Sequence, residues 1–134
     1  MRELLTGGAN LIGFTDGSWK RKNSSIQAGI GGLILEPSGD AIYTFSGPSK
    51  AIDAFETEWE ALIILIKNFV KSEWKSKSLQ IFSDSRNTIC RFLEKLANPC
   101  KDDNRVLAQL IRGVDIKANY IPRELNFQAD NFAK

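Results

Sequence analysis

Leu11-Ile12-Gly13-Phe14-Thr15-Asp16-Gly17-Ser18 is an apolar run that stops on a carboxylate and passes at once into glycine. Leu11 to Thr15 has the length and composition of a short buried strand. An ionised carboxylate at the end of such a strand carries a large desolvation cost unless something positive meets it. Gly17 lets the chain turn and leaves room for another backbone or a ligand to approach. The same order recurs at Leu79-Gln80-Ile81-Phe82-Ser83, an apolar strand that ends in Asp84-Ser85. Two strands that both end on aspartate point to one shared anionic site. For Asp84, which precedes a helical pattern, capping of that helix is an equally open reading.

The bulk properties set limits around this stretch. The chain has 134 residues, a single-domain length that can bury a full core. Its 43% hydrophobic and 25% charged residues are ordinary globular composition. A net charge of +2 is too small for an autonomous, tightly binding nucleic-acid protein, so any basic surface must be local. There is no histidine, and the two cysteines are Cys90 and Cys100. This excludes the usual Cys/His zinc spacings, Ser-His and Cys-His nucleophile pairs, and a histidine general base. Cys90 is expected to pack as a small apolar residue and Cys100 to lie in a loop, both reduced. The expected setting is intracellular, nuclear or cytoplasmic: no apolar run approaches a membrane span and the N-terminus lacks a signal-peptide pattern.

Working outward, residues 1–10 contain Gly7-Gly8 and little periodicity, and read as a tail or linker from a longer protein, with the domain at 11–134. The first strand runs to Asp16, and Lys20-Arg21-Lys22-Asn23-Ser24-Ser25 is expected as a basic loop. Ala28 to Leu35 is a glycine-rich strand, Pro37 to Asp40 a turn, and Ala41 to Phe45 a third strand, together an antiparallel meander. Phe55, Trp59, Leu62, Ile63, Ile66, Phe69 and Val70 recur every three or four residues, which predicts a helix over Ala54 to about Lys71 with these as its inner face. Its first turns carry Glu56, Glu58 and Glu60. At roughly 100° per residue Glu60 points away from the stripe, while Glu56 and Glu58 flank it about equally, so periodicity does not choose between them. All three also suit the positive end of the helix dipole. After the strand ending at Asp84 come a helix over Ser85 to Ala97 with Ile89, Phe92, Leu93 and Leu96 inward, a helix from Asp102 to about Arg112, and an alternating strand through Val114, Ile116, Ala118 and Tyr120. Pro122-Arg123-Glu124 turns the chain into the start of a final helix. This order gives an α/β domain with a mixed sheet.

Four segments together resemble a known family. Thr15-Asp16-Gly17-Ser18, Thr57-Glu58-Trp59-Glu60-Ala61-Leu62, Ser83-Asp84-Ser85 and Ile121-Pro122-Arg123-Glu124-Leu125-Asn126-Phe127-Gln128-Ala129-Asp130 stand in the order and spacing of the ribonuclease H domain. The match is closest to the reverse-transcriptase-associated form of plant proteins and retroelements, and it spans residues 11 to 134. The resemblance implies a ribonuclease H-like fold, a five-stranded mixed sheet of order 3-2-1-4-5 flanked by helices. It selects Glu58 over Glu56, and implies Asp16, Glu58, Asp84 and Asp130 as catalytic metal ligands. The implied activity is hydrolysis of the RNA strand of an RNA/DNA hybrid, leaving 5′-phosphate and 3′-hydroxyl ends.

The residue types suit that chemistry. Phosphodiester hydrolysis needs hydroxide near neutral pH and charge compensation on the leaving oxygen, which two Mg²⁺ ions about 4 Å apart supply. Mg²⁺, or Mn²⁺ in its place, prefers hard oxygen ligands, so convergent carboxylates are required and histidine is not. Backbone groups at Gly17 and Ser18, with Glu58, are the expected readers of the RNA 2′-hydroxyl. Lys20, Arg21 and Lys22 are the expected phosphate contacts, although a solvated loop explains them as well. Arg123 is expected to bind substrate and to substitute in part for the family histidine. Asn126, which matches an asparagine of the family's last motif, is expected among the substrate-binding residues, where it orients Asp130 or caps the final helix. Family members often carry a histidine ten residues before the last aspartate; Tyr120 stands there, so slower product release is expected. The basic handle helix of some bacterial members is absent, so a tethered polymerase or other domain is expected to add grip. A non-catalytic binding module and an integrase-like nuclease are the competing readings.

Overall fold

The computed structural model describes residues 10–98 and 107–126, apart from the side chains of residues 75 and 76. Three strands, β1 (Leu11–Lys22), β2 (Ser25–Leu35) and β3 (Ala41–Pro48), are followed by α1 (Ala54–Lys71), β4 (Ser78–Ser83), α2 (Arg86–Ala97) and β5 (Asp115–Tyr120). They form one five-stranded sheet of order β3-β2-β1-β4-β5. The β1–β2 and β2–β3 pairs are antiparallel; β1–β4 and β4–β5 are parallel. This is the mixed sheet and the strand order expected from the sequence. Of the helix expected from Asp102, residues 107–110 are helical among those described; the final helix lies outside them, as does Cys100.

β1 is longer than expected. It pairs with β2 from Ile12↔Leu35 to Lys22↔Ser25, so the expected basic loop is instead the end of a hairpin. The turn is only Asn23-Ser24, both at positive φ (48° and 69°). Such a two-residue turn matches the right-handed twist of the strands, and asparagine tolerates the left-handed conformation better than most residues. Polar residues end the apolar pattern at Asp16 because that part of β1 leaves the core, while its backbone pairing continues.

The sheet is apolar on both faces, and β1 alternates between them. Leu11 packs with Leu62, Leu65, Ile66 and Phe69 of α1 and with Ile89 and Phe92 of α2. Ile12 and Phe14 join Leu33, Leu35, Phe82 and Ile121 on the other side. Each fully buried side chain of this size contributes about 1.5–3 kcal/mol.

The buried face of α1 is Thr57, Ala61, Leu62, Leu65, Ile66 and Phe69, which corrects the expected stripe. Phe55 is exposed, and Trp59, Ile63 and Val70 are only partly buried. The helix is turned so that Thr57 and Leu65 meet the sheet where β1 offers glycine. A Cβ on Gly13 would lie 2.8 Å from Leu65 Cδ2, and one on Gly17 would lie 2.8 Å from the carbonyl carbon of Thr57. Phe55 and Trp59 are roofed by the Arg91 guanidinium, 5.2 and 4.3 Å from the two ring centroids. Two residues of α2 also differ from expectation: Cys90 is exposed, and Leu93 faces solvent. Among the described residues no helix is long and apolar enough to cross a membrane.

Candidate active site

The parallel pairing of β1 with β4 stops at Thr15↔Ser83, and Asp16 is the next residue. Here the connections from the two adjacent strands diverge, β1 into a hairpin and β4 into α2. A crevice opens at such a point beyond the strand ends in α/β sheets. Asp16 is fully buried, and its Oδ1 accepts from the Gly17 N–H at 3.0 Å.

Gly17 brings Glu58 to it. A side chain at residue 17 would lie 2.7 Å from Thr57 Cγ2 and 2.9 Å from the Glu58 nitrogen, so only glycine lets α1 pass this close to β1. The helix start is held by Asp53, whose carboxylate accepts from the Glu56 N–H at 2.8 Å. The three α1 glutamates then separate. Glu56 pairs with Arg91 at 3.0 Å, and Glu60 accepts a hydrogen bond from the Ser49 hydroxyl. Glu58 turns toward Asp16.

Asp84 follows β4, with its side chain 6% exposed. It does not cap α2: Ser85 does, its hydroxyl accepting from the Thr88 N–H at 3.3 Å. Asp16, Glu58 and Asp84 each offer one oxygen, and these lie within 4.8 Å of one another, a set that could hold a metal ion. Asp130 lies outside the described residues.

Burial, above all, pushes the Glu58 carboxyl up to about 7. The charge of Asp84 adds to this, while hydrogen bonds with Asp16 and Gly17 and the charge of Arg123 oppose it. Glu58 Oε2 and Asp84 Oδ2 are buried without a hydrogen-bond partner. Arg123 Nε stands 4.0 Å from Asp84 Oδ2, on a side chain 77% exposed. Gly17, Ser18, Trp19, Lys20, Glu58 and Arg123 border a cleft of about 370 Å³ beside the carboxylates.

Asn126 is not open to a ligand. It is 1% exposed, and its Nδ2 donates to the Thr15 carbonyl at 2.9 Å, tying the short helical turn Arg123–Leu125 to β1. It is therefore a strut: it pairs a buried carbonyl at the last β1 residue that β4 accompanies. The Ile121 N–H, bonded to the Ser83 carbonyl at 2.9 Å, fixes the other side of the same turn and so places Arg123. Arg86 was not singled out from sequence. Its guanidinium lies 4.4 Å from the Tyr120 ring centroid. Its position, two residues after a strand-ending aspartate, was the available signal.

Comparison with known proteins agrees with this architecture. The LC11 RNase H1 isolated from compost by a metagenomic approach is similar with a TM-score of 0.75 and 22% identity, over 92% of each chain. The RNase H domain of prototype foamy virus gives 0.76 and 18%, over 95% of this chain and 93% of that one. The foamy viral protease–reverse transcriptase, solved with an RNA/DNA hybrid, gives 0.75 and 18%, with 93% of this chain covering 19% of that one. No curated protein sequence matches. The fold is that of ribonuclease H, and with residues 14–134 matching the family described as reverse transcriptase-like, the chain belongs to that family.

Proposed function

We propose that this domain is a metal-dependent endonuclease that hydrolyses the RNA strand of RNA/DNA hybrids, as one part of a larger protein such as a retroelement polyprotein. The observation that carries this reading is the convergence of Asp16, Glu58 and Asp84 from two strand ends and a helix. Three acids this close repel one another, and two of their oxygens are buried without a hydrogen-bond partner. A divalent cation answers both conditions, and an all-oxygen donor set suits Mg²⁺ or Mn²⁺. Asp16, Glu58 and Asp84 would hold it, with Asp130 as the fourth acid that the family resemblance implies. A pair of such ions supplies hydroxide near neutral pH and offsets charge on the leaving 3′ oxygen, giving 5′-phosphate and 3′-hydroxyl products.

The surrounding residues bind and orient. Arg123 presents an exposed guanidinium at the cleft edge, where it engages a phosphate oxygen and limits repulsion between substrate and carboxylates. Gly17 and Ser18 border the cleft and are placed to read the 2′-hydroxyl that separates RNA from DNA. Lys20 neutralises a flanking phosphate. The net charge of +2 makes affinity modest and salt-sensitive, so a tethered polymerase adds grip. Tyr120, engaged by Arg86, replaces the histidine many relatives carry, which slows product release.

The test is incubation with end-labelled RNA/DNA hybrid and Mg²⁺. Cleavage of the RNA strand, lost in Asp16→Asn, supports the reading. Binding without cleavage would leave a recognition module, and cutting of duplex DNA would indicate an integrase-like enzyme.

A further inference from the structure

The two edges of the sheet are defended unequally. β3 and β5 are its outer strands. An outer strand leaves one row of backbone N–H and C=O groups open to another chain, and charges, prolines and bulges normally discourage that pairing. β5 follows the rule, with Asp115 and Lys117 both exposed along it. β3, Ala41-Ile42-Tyr43-Thr44-Phe45-Ser46-Gly47-Pro48, has no charged residue, and its proline comes only at the end. A bulge interrupts its pairing near Ile42, but from Tyr43↔Ile34 to Pro48↔Gly29 the register is regular. No backbone group on its outer side has a hydrogen-bond partner among the described residues. α1 packs mainly on β1 and β2, away from this edge. Tyr43 and Phe45 stand side by side on one face, ring centroids 6.0 Å apart, and Thr44 and Ser46 are exposed on the other.

We infer that β3 is a self-association surface that pairs antiparallel with β3 of a second copy, joining two sheets into one about a two-fold axis. The occupant is a strand, because a row of open backbone groups is satisfied by another extended backbone. It is a copy of this strand because self-pairing sets like residues near one another, which penalises a charged edge and spares this uncharged one. Centred on Thr44, the pairing puts Thr44 opposite Thr44 and Tyr43 opposite Phe45, the hydroxyl and aromatic pairs that stabilise antiparallel sheets. A net charge of +2 adds little long-range repulsion between copies. With β5 defended, the sheet of each copy offers a single open edge, so association closes at two. The paired chains run in opposite directions, so their carboxylate sites open at opposite ends of the joint sheet and stay accessible. A contact one strand wide makes the dimer weak and concentration-dependent. The inference is independent of the nuclease reading.

The experiment is sedimentation velocity over a concentration series, on the unaltered protein, Thr44→Lys, Thr44→Glu and an equimolar mixture of the two variants. Thr44 is exposed, so both substitutions leave the fold intact, and circular dichroism checks this. The unaltered protein is expected to pass from one chain to two as concentration rises. Each variant alone sets like charges against each other at the axis and should stay monomeric over the same range. The mixture sets opposite charges there and should recover the dimer, less completely as salt is added. An unaltered protein that is monomeric at every concentration overturns the pairing and leaves the edge to a strand of another protein. A dimer that both variants retain also overturns it, because another surface then holds the copies together. Loss in both variants without recovery in the mixture overturns pairing about Thr44.

Discussion

The two halves of β1 share a backbone geometry and differ in almost everything else. From Leu11 to Asp16 every residue is buried, with β2 along one edge and β4 along the other as far as Thr15. From Gly17 to Lys22 only β2 remains, and the side chains pass from half-buried to exposed. The difference explains the position of Asp16. A carboxylate deeper in the first half would be sealed from substrate, and one further along the second would be solvated and loosely held. At the junction it is rigid, poorly hydrated and next to an open cleft, the combination that makes a divalent cation a strongly favoured partner.

The largest effect should follow from removing the junction charge. Asp16→Asn is expected to lower hybrid cleavage by more than the roughly 100-fold that loss of an outer partner of a metal ligand costs. The metal-free protein should meanwhile melt no lower, because a buried charge has gone. A clear fall in melting temperature would show that Asp16 belongs to the structural half after all.

Next is the contact that brings α1 to the second half. Gly17→Ala forces a methyl into the backbone of Thr57 and Glu58, so it should destabilise the fold by about 1–3 kcal/mol in urea unfolding and also reduce cleavage. Stability lost without activity lost would separate the two roles of this glycine.

Asn126→Ala tests what holds the end of the first half, where its pairing with β4 stops. Leaving the Thr15 carbonyl without its donor should cost about 1–3 kcal/mol in the same unfolding assay. No loss would mean that the strut is dispensable.

The smallest effect is a pH dependence. Glu58 is pushed up to about 7 from an ordinary value of 4.5, mainly by burial. Between those values the folded protein keeps a proton that the unfolded chain has lost, so metal-free stability should fall as pH rises through this window. Glu58→Gln should flatten the fall, and millimolar Mg²⁺ should reverse it by binding only the folded state. Melting curves across the window with and without Mg²⁺ check both.

Much of this architecture was legible from residue patterns. The order of the five strands and of α1 and α2, the limits of α1 at Ala54 and about Lys71, and the meander followed from periodicity and turn residues, because those signals are local. What misled was also local. Polar Lys20 to Ser25 read as a loop because exposed strand residues carry no apolar alternation, although their backbones still pair. Phe55, Trp59 and Ile63 read as core because helical spacing counts apolar residues without knowing which of them the sheet can admit. Glycine in β1 admits Thr57 and Leu65 instead, and leaves the aromatic rings to arginine.

By itself the sequence determined the residue types available for chemistry: several acids, no histidine and a small net charge, which exclude a histidine base or ligand whatever the chain's shape. It also determined the alternation that makes β1 a central strand. Tertiary structure alone decided which acids meet. Helical spacing sets Glu60 apart but leaves Glu56 and Glu58 equivalent, and only the docking of α1 on Gly17 sends Glu58 to Asp16 and Glu56 to Arg91. Convergence over 42 and 26 residues of chain, from Asp16 to Glu58 and on to Asp84, depends on how elements pack across the sheet, and no local pattern encodes that distance.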